Sequence, residues 1–184
     1  ALPWYGPRPE GMDESNQRRG CEPAGAPTGT AVFKLTDTST KGTWPARYGS
    51  HGYAVAGGNT STPGISLSFT EATVQTWQSP STSIRASRRA PTVPTRVAAA
   101  WGNPAEFYVN VDTNGAEKEV ALYFLEWTSV PAKRLTVDVI DANGQVLDTR
   151  SLDNVTGGVY LTWNINGRVS FRIWQNLSSS DAVL

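Results

Sequence analysis

The sequence predicts an all-β protein, an antiparallel β-sandwich of the jelly-roll kind with an irregular N-terminal arm. Three observations lead to this prediction. Charged residues make up only 17% of the chain, below the quarter or so that is usual in globular proteins, and Thr, Ser, Gly, Asn and Pro replace the helix formers. Apolar and polar residues alternate over strand-length runs. Turn residues separate those runs at short intervals, which is typical of sandwiches and barrels.

The predicted strands begin at Ala31. Residues 65–69 and 135–140 alternate between apolar and polar side chains, whereas residues 120–127 are apolar enough to predict a central strand. The other predicted strands are residues 32–35, 52–56, 74–77, 96–101, 107–111, 146–150, 159–163 and 169–174.

Asn-Gly pairs lie between alternating runs at residues 114–115, 143–144 and 166–167. Asn and Gly tolerate the positive φ angles that tight hairpin turns require. Each of these pairs therefore predicts a β-hairpin.

Residues 1–30 form the predicted arm, and residues 31–184 form the predicted sandwich domain. The arm has no apolar period and is interrupted repeatedly by Pro and Gly, so it cannot offset its own ordering entropy by burial. It is either a flexible leader or a segment that lies on another surface. Its apolar residues concentrate at Leu2, Trp4 and Tyr5, which would be unusual residues to leave in water.

Charge and composition limit the classes of partner. The formal net charge is +0, which argues against a nucleic-acid partner. No apolar run is long enough to predict a membrane span. The chain begins with Ala1 rather than Met, and with the composition this favours a secreted or cell-surface protein. Cys21 is the single cysteine, so it is a free thiol or forms a bridge between chains.

Several blocks of the sequence carry a family resemblance. They are FKLTDTSTKGTW at residues 33–44, YGSHGY at 48–53, RVAAAW at 96–101, VALYFLEW at 120–127, TVDV at 136–139 and GGVYLTWN at 157–164. Together they resemble a β-sandwich module of secreted bacterial proteins that often accompanies carbohydrate-active enzymes. The resemblance spans roughly residues 33–184 and implies carbohydrate recognition outside the cell, with a polysaccharide as partner.

The sequence departs from that family in two places. Residues 1–30 have no counterpart, and the family pattern continues past the equivalent of Leu184 into a short apolar strand. A sandwich without that strand has an open edge and an apolar groove. Either the strand is dispensable, or a segment of another chain fills the gap by strand addition. On the second alternative Leu2, Trp4, Tyr5, Cys21 and Leu184 are the candidate assembly residues.

Residue patterns argue against catalysis. His51 is the only histidine, lies in a Gly-rich segment and has no recognisable nucleophile motif beside it. The acidic residues are scattered singly rather than paired as glycoside hydrolysis requires. Most fall on the polar faces of predicted strands, where we expect solvated carboxylates: Glu71, Glu106, Glu126, Asp138 and Asp148. We therefore predict that the protein is not an enzyme and needs no cofactor or metal.

Two groups of side chains carry the remaining site predictions. Asp37 with Thr38 and Thr40, and Asp141 with Asn143, offer oxygen ligands for structural calcium, but such residues more often cap their own backbone. Candidate carbohydrate-binding residues are Trp77, Tyr53 and Arg85, because aromatic rings can stack on a pyranose and Arg can bind hydroxyls or acidic groups.

Two functions follow from these patterns. The first is a non-catalytic extracellular carbohydrate-binding or adhesive module. The alternative is a structural subunit of an extracellular filament or sheath, assembled from other copies of itself through the arm and an open sheet edge.

Overall fold

A computed structural model describes residues 28–128, 134–175 and 182–183. The predicted arm up to residue 27 lies outside the described residues, and so do the candidate assembly residues Leu2, Trp4, Tyr5, Cys21 and Leu184. None of the described residues forms a helix long and apolar enough to cross a membrane.

The described chain is built from strands, with one short 3-10 turn at Trp44–Ala46. The strands are β1 (Thr30–Asp37), β2 (Tyr53–Ala54), β3 (Thr60–Ser61), β4 (Ser66–Thr70), β5 (Thr73–Ser81), β6 (Ser87–Ala90), β7 (Val93–Asn103), β8 (Glu106–Asp112), β9 (Lys118–Phe124), β10 (Leu135–Asp141), β11 (Val146–Leu152), β12 (Val159–Asn166), β13 (Arg168–Gln175) and β14 (Ala182–Val183).

Two antiparallel sheets pack face to face. A five-stranded sheet has the order β11-β10-β13-β8-β4, and a three-stranded sheet has the order β1-β12-β9. Alternate side chains of both sheets form one apolar core, in which the Trp163 ring of β12 lies 5.2 Å from the Phe171 ring of β13. This arrangement confirms the predicted all-β antiparallel sandwich. The jelly-roll strand order stays a prediction.

A further sheet covers the β4 end of the same core. It has the order β14-β7-β5, with β6 also paired to β7. Phe69 of β4 is directly opposite the core residue Val109 in the pairing of β4 with β8, so it points to the same face of its sheet. The Trp101 ring of β7 stacks on Phe69 with ring centroids 4.2 Å apart. The three-stranded and β7 sheets therefore lie side by side on the core face of the five-stranded sheet.

Only one of the three predicted Asn-Gly hairpins is present. Residues 143–144 join β10 and β11, which pair with each other. By contrast, residues 114–115 connect β8 to β9 and residues 166–167 connect β12 to β13, and in both cases the two strands belong to different sheets. Asn114 and Gly115 both have the expected positive φ. The turns at 114–115 and 166–167 therefore reverse the chain as predicted, but each connects a strand of one sheet to a strand of the other.

Two segment boundaries also differ from the prediction. β9 ends at Phe124, so residues 125–127 are not strand. Residues 87–90, where no strand was predicted, form β6, which pairs with β7. The strand was missed because charged residues were counted as solvent-exposed. Arg88 and Arg89 are instead half-buried, and their guanidinium groups donate hydrogen bonds to backbone carbonyl oxygens.

Candidate functional site

A cleft of about 480 Å³ lies where the three-stranded sheet and the β7 sheet meet. This volume is within the range of small-ligand and peptide sites, about 300–1,000 Å³. Its aliphatic lining includes Leu67 of β4, Val109 and Val111 of β8, and Val120 and Leu122 of β9. Those residues belong to or pack against the sandwich core, and Val109, Val111 and Leu122 are buried, so the core forms the floor of the cleft.

One side of the cleft is formed by β7, whose edge opposite β5 is paired only at its two ends. Gly102 pairs with Thr73 of β5 and with Val183 of β14, while Arg96 pairs with Ser81 of β5 and Arg88 of β6. Because a strand has two edges, β14 and β6 must both lie on the edge away from β5. Between them, residues 98–101 have no partner on that edge within the described part of the chain. Two of them, Ala99 and Trp101, line the cleft.

The opposite side is formed by β9, which is the outer strand of its sheet. Residues 117–123 all line the cleft without a break. Since consecutive side chains of a strand point to opposite faces, such a continuous lining means that the backbone edge itself borders the cleft. Among the described residues β9 has β12 as its only partner strand. Two strand edges with unpaired backbone groups therefore border one apolar space.

Ser87, the first residue of β6, also lines the cleft, and the mouth of the cleft is polar. Arg47, Ser50, His51, Glu117 and Glu119 are exposed there. The charges of both signs balance closely, because Lys118 also lines the cleft. A mouth of this kind does not select strongly for an anionic or a cationic ligand.

Aromatic rings line the cleft on the side of residues 44–56. Tyr53 packs against the buried Trp44, with ring centroids 4.8 Å apart. The Tyr48 and Tyr160 rings pack at a tilt with their centroids 4.6 Å apart, and Tyr160 stacks on Tyr123 at 4.4 Å. The Trp44 indole N–H donates to the carbonyl oxygen of Arg88 at 2.8 Å, so these rings are fixed by the surrounding backbone.

Asp37 holds this aromatic side of the cleft in place. Tyr48 donates a hydrogen bond to Asp37 Oδ2 at 2.9 Å, and Arg47 lies 3.6 Å from the same oxygen. Burial together with this carboxylate raises the pKa of Tyr48 to about 12. The phenol is therefore neutral at physiological pH and acts as a donor rather than as a base.

The structure brings only one of the three predicted carbohydrate-binding residues into the cleft. Tyr53 lines it. Trp77 is half-buried at an irregularity in the pairing of β5 with β7 and does not line it. The Arg85 guanidinium donates to the carbonyl oxygens of Glu126 and Thr156, and lies over the Trp127 ring at 4.8 Å. Arg85 therefore has a structural role that the sequence pattern did not indicate.

Two of the acidic residues that were expected to be solvated are buried. Glu126 is 1% exposed and accepts hydrogen bonds from Thr128, and Asp138 is 5% exposed. Asp138 accepts from Thr149, Trp174 and Arg172. Neither lines the cleft. Solvent exposure was expected because the sequence does not show the hydrogen-bond donors. The donors to Asp138 lie on β11 and β13, and the donor to Glu126 lies beyond the end of β9.

The residues considered for calcium are engaged with the protein itself. Asp37 Oδ1 accepts from the backbone N–H of Ser39 and of Thr40, and Asp141 Oδ1 accepts from those of Asn143 and Gln145. These are the local backbone caps that Asp commonly forms in turns. Over the described ranges, no group of three or more His, Cys, Asp or Glu side chains is placed to hold a metal ion.

His51 lies at the mouth of the cleft, with its Nδ1 3.0 Å from Ser50 Oγ. Both residues are exposed. The sequence pointed to Tyr53 but did not reveal the two open strand edges, because these depend on which strands pair. No protein-family model, curated protein or solved structure matches the chain, so the family resemblance described above stays a prediction.

Proposed function

We propose that this protein is a non-catalytic binding module that accepts an extended peptide segment of another chain in the cleft between β7 and β9. The single observation that carries the proposal is that β7 and β9 each border one cleft with an edge that has no partner strand among the described residues. In strand addition, main-chain hydrogen bonds give affinity and alternate side chains enter pockets.

The chemistry of the cleft favours a peptide over a polar small molecule. Unpaired N–H and C=O groups at a strand edge are satisfied best by another extended backbone. The aliphatic part of the lining, including the partly exposed Leu67 and Val120, offers contacts for the apolar side chains of such a segment. An inserted strand satisfies both requirements at once.

A soluble peptide of alternating threonine and valine, with a lysine at each end, tests the proposal by isothermal titration. We expect saturable binding that is lost when alternate peptide nitrogens are methylated, because methylation removes the donors of the new ladder. Hydrogen exchange on the complex should slow at residues 98–101. No heat of binding and unchanged exchange would refute the proposal.

A matched pair of substitutions locates the binding. Ala99 lines the cleft, whereas Ala116 is exposed in the turn before β9. Ala99→Arg should abolish peptide binding because it places a cation among apolar side chains, and Ala116→Arg should leave it unchanged. Circular dichroism of both variants confirms that they are folded. Equal affinities for the two folded variants would contradict the assignment to this cleft.

If the donor is another copy of this chain, binding produces the extracellular filament or sheath considered from the sequence. Leu2, Trp4 and Tyr5 are then the candidate donor residues. Deleting residues 1–27 should abolish concentration-dependent assembly measured by light scattering, while the truncated protein still binds the synthetic peptide. Unchanged assembly would exclude the arm as donor and leave peptide binding as the function.

Carbohydrate binding is the second candidate function, and the aromatic side of the cleft favours it. The half-buried Tyr53 ring lies beside polar residues at the mouth, including Arg47 and His51. Aromatic rings of this kind combine an apolar face with nearby hydrogen-bonding groups. This second proposal includes an extracellular location and an association with carbohydrate-active enzymes.

Affinity electrophoresis against a panel of neutral and acidic polysaccharides tests this candidate. Tyr53→Ala should remove the retardation, whereas Trp77→Ala, outside the cleft, should retain it. Retardation that depends on Trp77 instead would place the binding on β5. If no polysaccharide retards the protein, carbohydrate binding is excluded and the peptide proposal is unaffected.

A further inference from the structure

We infer that Asn114 is a site of spontaneous deamidation, and that the fold protects the other two Asn-Gly pairs of the chain from the same modification. The pairs lie at residues 114–115, 143–144 and 166–167. A glycine after asparagine favours this reaction, because no Cβ hinders the approach of its backbone nitrogen to the asparagine side chain. The modification requires no ligand and does not depend on the proposed function.

The reaction is an acyl transfer that consumes only water. The deprotonated backbone nitrogen of Gly115 attacks the side-chain carbonyl carbon of Asn114, so that a C–N bond forms and a five-membered imide closes. The side-chain nitrogen leaves as ammonia and takes up the proton that the backbone amide released. Water then opens the imide at either carbonyl and leaves aspartate or isoaspartate, and nothing is oxidised or reduced.

The turn between β8 and β9 leaves the attacking nitrogen accessible. Asn114 and Gly115 are its two central residues, and the bond that closes it runs from the N–H of Ala116 to the carbonyl oxygen of Thr113 at 3.1 Å. In the described part of the chain the Gly115 N–H has no acceptor. Both residues are exposed, and a Cβ added at Gly115 would meet open space. Base can therefore remove the Gly115 amide proton without breaking a bond within the fold.

The pair at residues 143–144 is equally exposed but lies one position later in its turn. The N–H of Gly144 donates to the carbonyl oxygen of Asp141 at 3.1 Å, which is the bond that closes the turn. Removing this proton breaks that bond. Since one hydrogen bond contributes about a threefold to tenfold factor to an equilibrium, we expect Asn143 to react more slowly than Asn114 by about that factor.

The pair at residues 166–167 is protected by burial as well as by hydrogen bonds. Gly167 is buried, and its N–H donates to the Thr113 hydroxyl at 2.9 Å while its carbonyl oxygen accepts from the Thr113 N–H at 3.0 Å. Asn166 also pairs with Thr30 in the ladder of β1 and β12. Because the end of β12 must open before the imide can form, we expect Asn166 to react more than about tenfold more slowly than Asn114.

Modification of Asn114 has a consequence for the cleft. The Asn114 side-chain nitrogen donates to the carbonyl oxygen of Gly64 at 3.2 Å and so connects the β8–β9 turn to the turn before β4. Thr62 and Ile65, on either side of Gly64, line the cleft. A carboxylate in place of the amide has no proton to donate and repels the carbonyl oxygen. We therefore expect deamidation to loosen the cleft wall at residues 62–65.

Peptide mapping by mass spectrometry tests the order of reactivity. The full folded protein is incubated in mildly alkaline buffer, a second sample is incubated in concentrated urea, and isoaspartyl methyltransferase identifies the isoaspartyl product. In the folded protein Asn114 should deamidate first, Asn143 next and Asn166 last. In urea the three should react at similar rates, because each is followed by glycine. Equal rates in the folded protein, or faster loss at Asn143 or Asn166, would overturn the inference.

A matched pair of variants tests the consequence for the cleft. Asn114→Asp reproduces one product of the reaction, and Asn143→Asp introduces the same charge at a turn that does not line the cleft. Hydrogen exchange at the Gly64 and Ile65 amides should be faster in Asn114→Asp than in the unsubstituted protein and unchanged in Asn143→Asp. Unchanged exchange in Asn114→Asp, or equal acceleration in both variants, would refute the effect on the cleft wall.

Discussion

Asp37, the last residue of β1, accepts hydrogen bonds on both carboxylate oxygens. Oδ1 accepts from Ser39 and Thr40, and Oδ2 accepts from the hydroxyls of Thr40 and Tyr48. Burial alone would raise the pKa of Asp37, but these hydrogen bonds hold it well below the usual range. Because the Tyr48 ring packs against that of Tyr160 of β12, the carboxylate also connects the end of β1 to the aromatic side of the cleft.

Substituting Asp37→Asn should lower the free energy of unfolding by about 1–3 kcal/mol, because the amide nitrogen faces donors and leaves buried groups unsatisfied. Urea denaturation at neutral pH measures the change. Asp153→Asn is the control, since the Asp153 side chain is 78% exposed and its ion pair with Arg134 is on the surface. Equal losses in the two variants would contradict the role assigned to Asp37.

Acid should destabilise the protein through three carboxylates. Burial of Asp37, Asp138 and Asp148 favours the neutral acid, but hydrogen bonds to all three lower the pKa overall. A group whose pKa is lower in the folded state stabilises the fold above its unfolded pKa and loses that effect as pH falls. We expect the free energy of unfolding to decline below about pH 5. Urea denaturation from pH 7 to pH 3 measures it, and Asp37→Asn should show a smaller decline; a decline equal to that of the unsubstituted protein would contradict the prediction.

Arg85 connects the segment before β6 to two other parts of the chain. Its guanidinium binds the carbonyl oxygens of Glu126, after β9, and Thr156, before β12. In return, the Tyr123 hydroxyl of β9 donates to the Arg85 carbonyl oxygen at 2.9 Å. Sequence alone indicated an exposed cation available to a ligand, because none of these three backbone partners is near Arg85 in sequence.

Arg85→Ala should destabilise the protein by about 1.5–3 kcal/mol, the range for hydrogen bonds to a charged group. It should leave peptide and polysaccharide binding unchanged in the folded protein. Lys34→Ala, an exposed substitution on β1, should change stability by less than about 0.5 kcal/mol. If Arg85→Ala keeps full stability but loses polysaccharide retardation, the sequence-based assignment of Arg85 to a carbohydrate site is correct.

Gly144 and Gly158 allow the cost of a positive φ to be distinguished from the cost of a steric clash. Gly144, in the β10–β11 turn, has φ +82° and open space around it, whereas Gly158, before β12, has φ +83° and its Cα faces the Tyr123 hydroxyl closely. Gly144→Ala should cost about 1–2 kcal/mol from the positive φ alone. Gly158→Ala should cost clearly more, because a Cβ would overlap the phenol. Thermal and urea unfolding of both variants compare them, and equal costs would contradict this reading.

The alternation of apolar and polar residues predicted the positions of the strands well. The pairing of the strands, predicted from the Asn-Gly turns, was mostly wrong. Residues 65–69 and 135–140 alternate because one face of each is buried, and both are strands, β4 and β10. The Asn-Gly turn at residues 166–167 has hairpin chemistry, yet its two strands enter different sheets. Local sequence specifies the reversal of the chain, whereas the partner of each strand depends on distant residues.

The arrangement of three sheets leaves a cleft above one part of the core. The three-stranded sheet and the β7 sheet share the core face of the five-stranded sheet but do not pair with each other. Trp101 and Phe69 close one side of this space by stacking. Tyr53, which lines the cleft, was singled out in the sequence for its aromatic ring. The edges of β7 and β9 could not be predicted, because which strands pair depends on residues that are distant in sequence.

Peptide binding should stabilise the whole fold by mass action. At a peptide concentration 100 times its Kd, the free energy of unfolding should rise by about 2.7 kcal/mol if the peptide binds only the folded state. Urea denaturation with and without the threonine–valine peptide measures the increase. The Ala99→Arg variant should show no increase, and an increase of the same size in that variant would mean that the peptide binds elsewhere.

The short length of the open stretch on β7 has a consequence for aggregation. Exposed strand edges commonly recruit the edges of other folded sheets and seed fibrils. Among the described residues, the stretch 98–101 of β7 has no partner strand between β14 and β6, and its Ala99 and Trp101 line the cleft. We expect this position to keep the edge of a second intact sheet away from the stretch. If the proposed peptide binding holds, the cleft favours a single extended chain over amyloid-type growth.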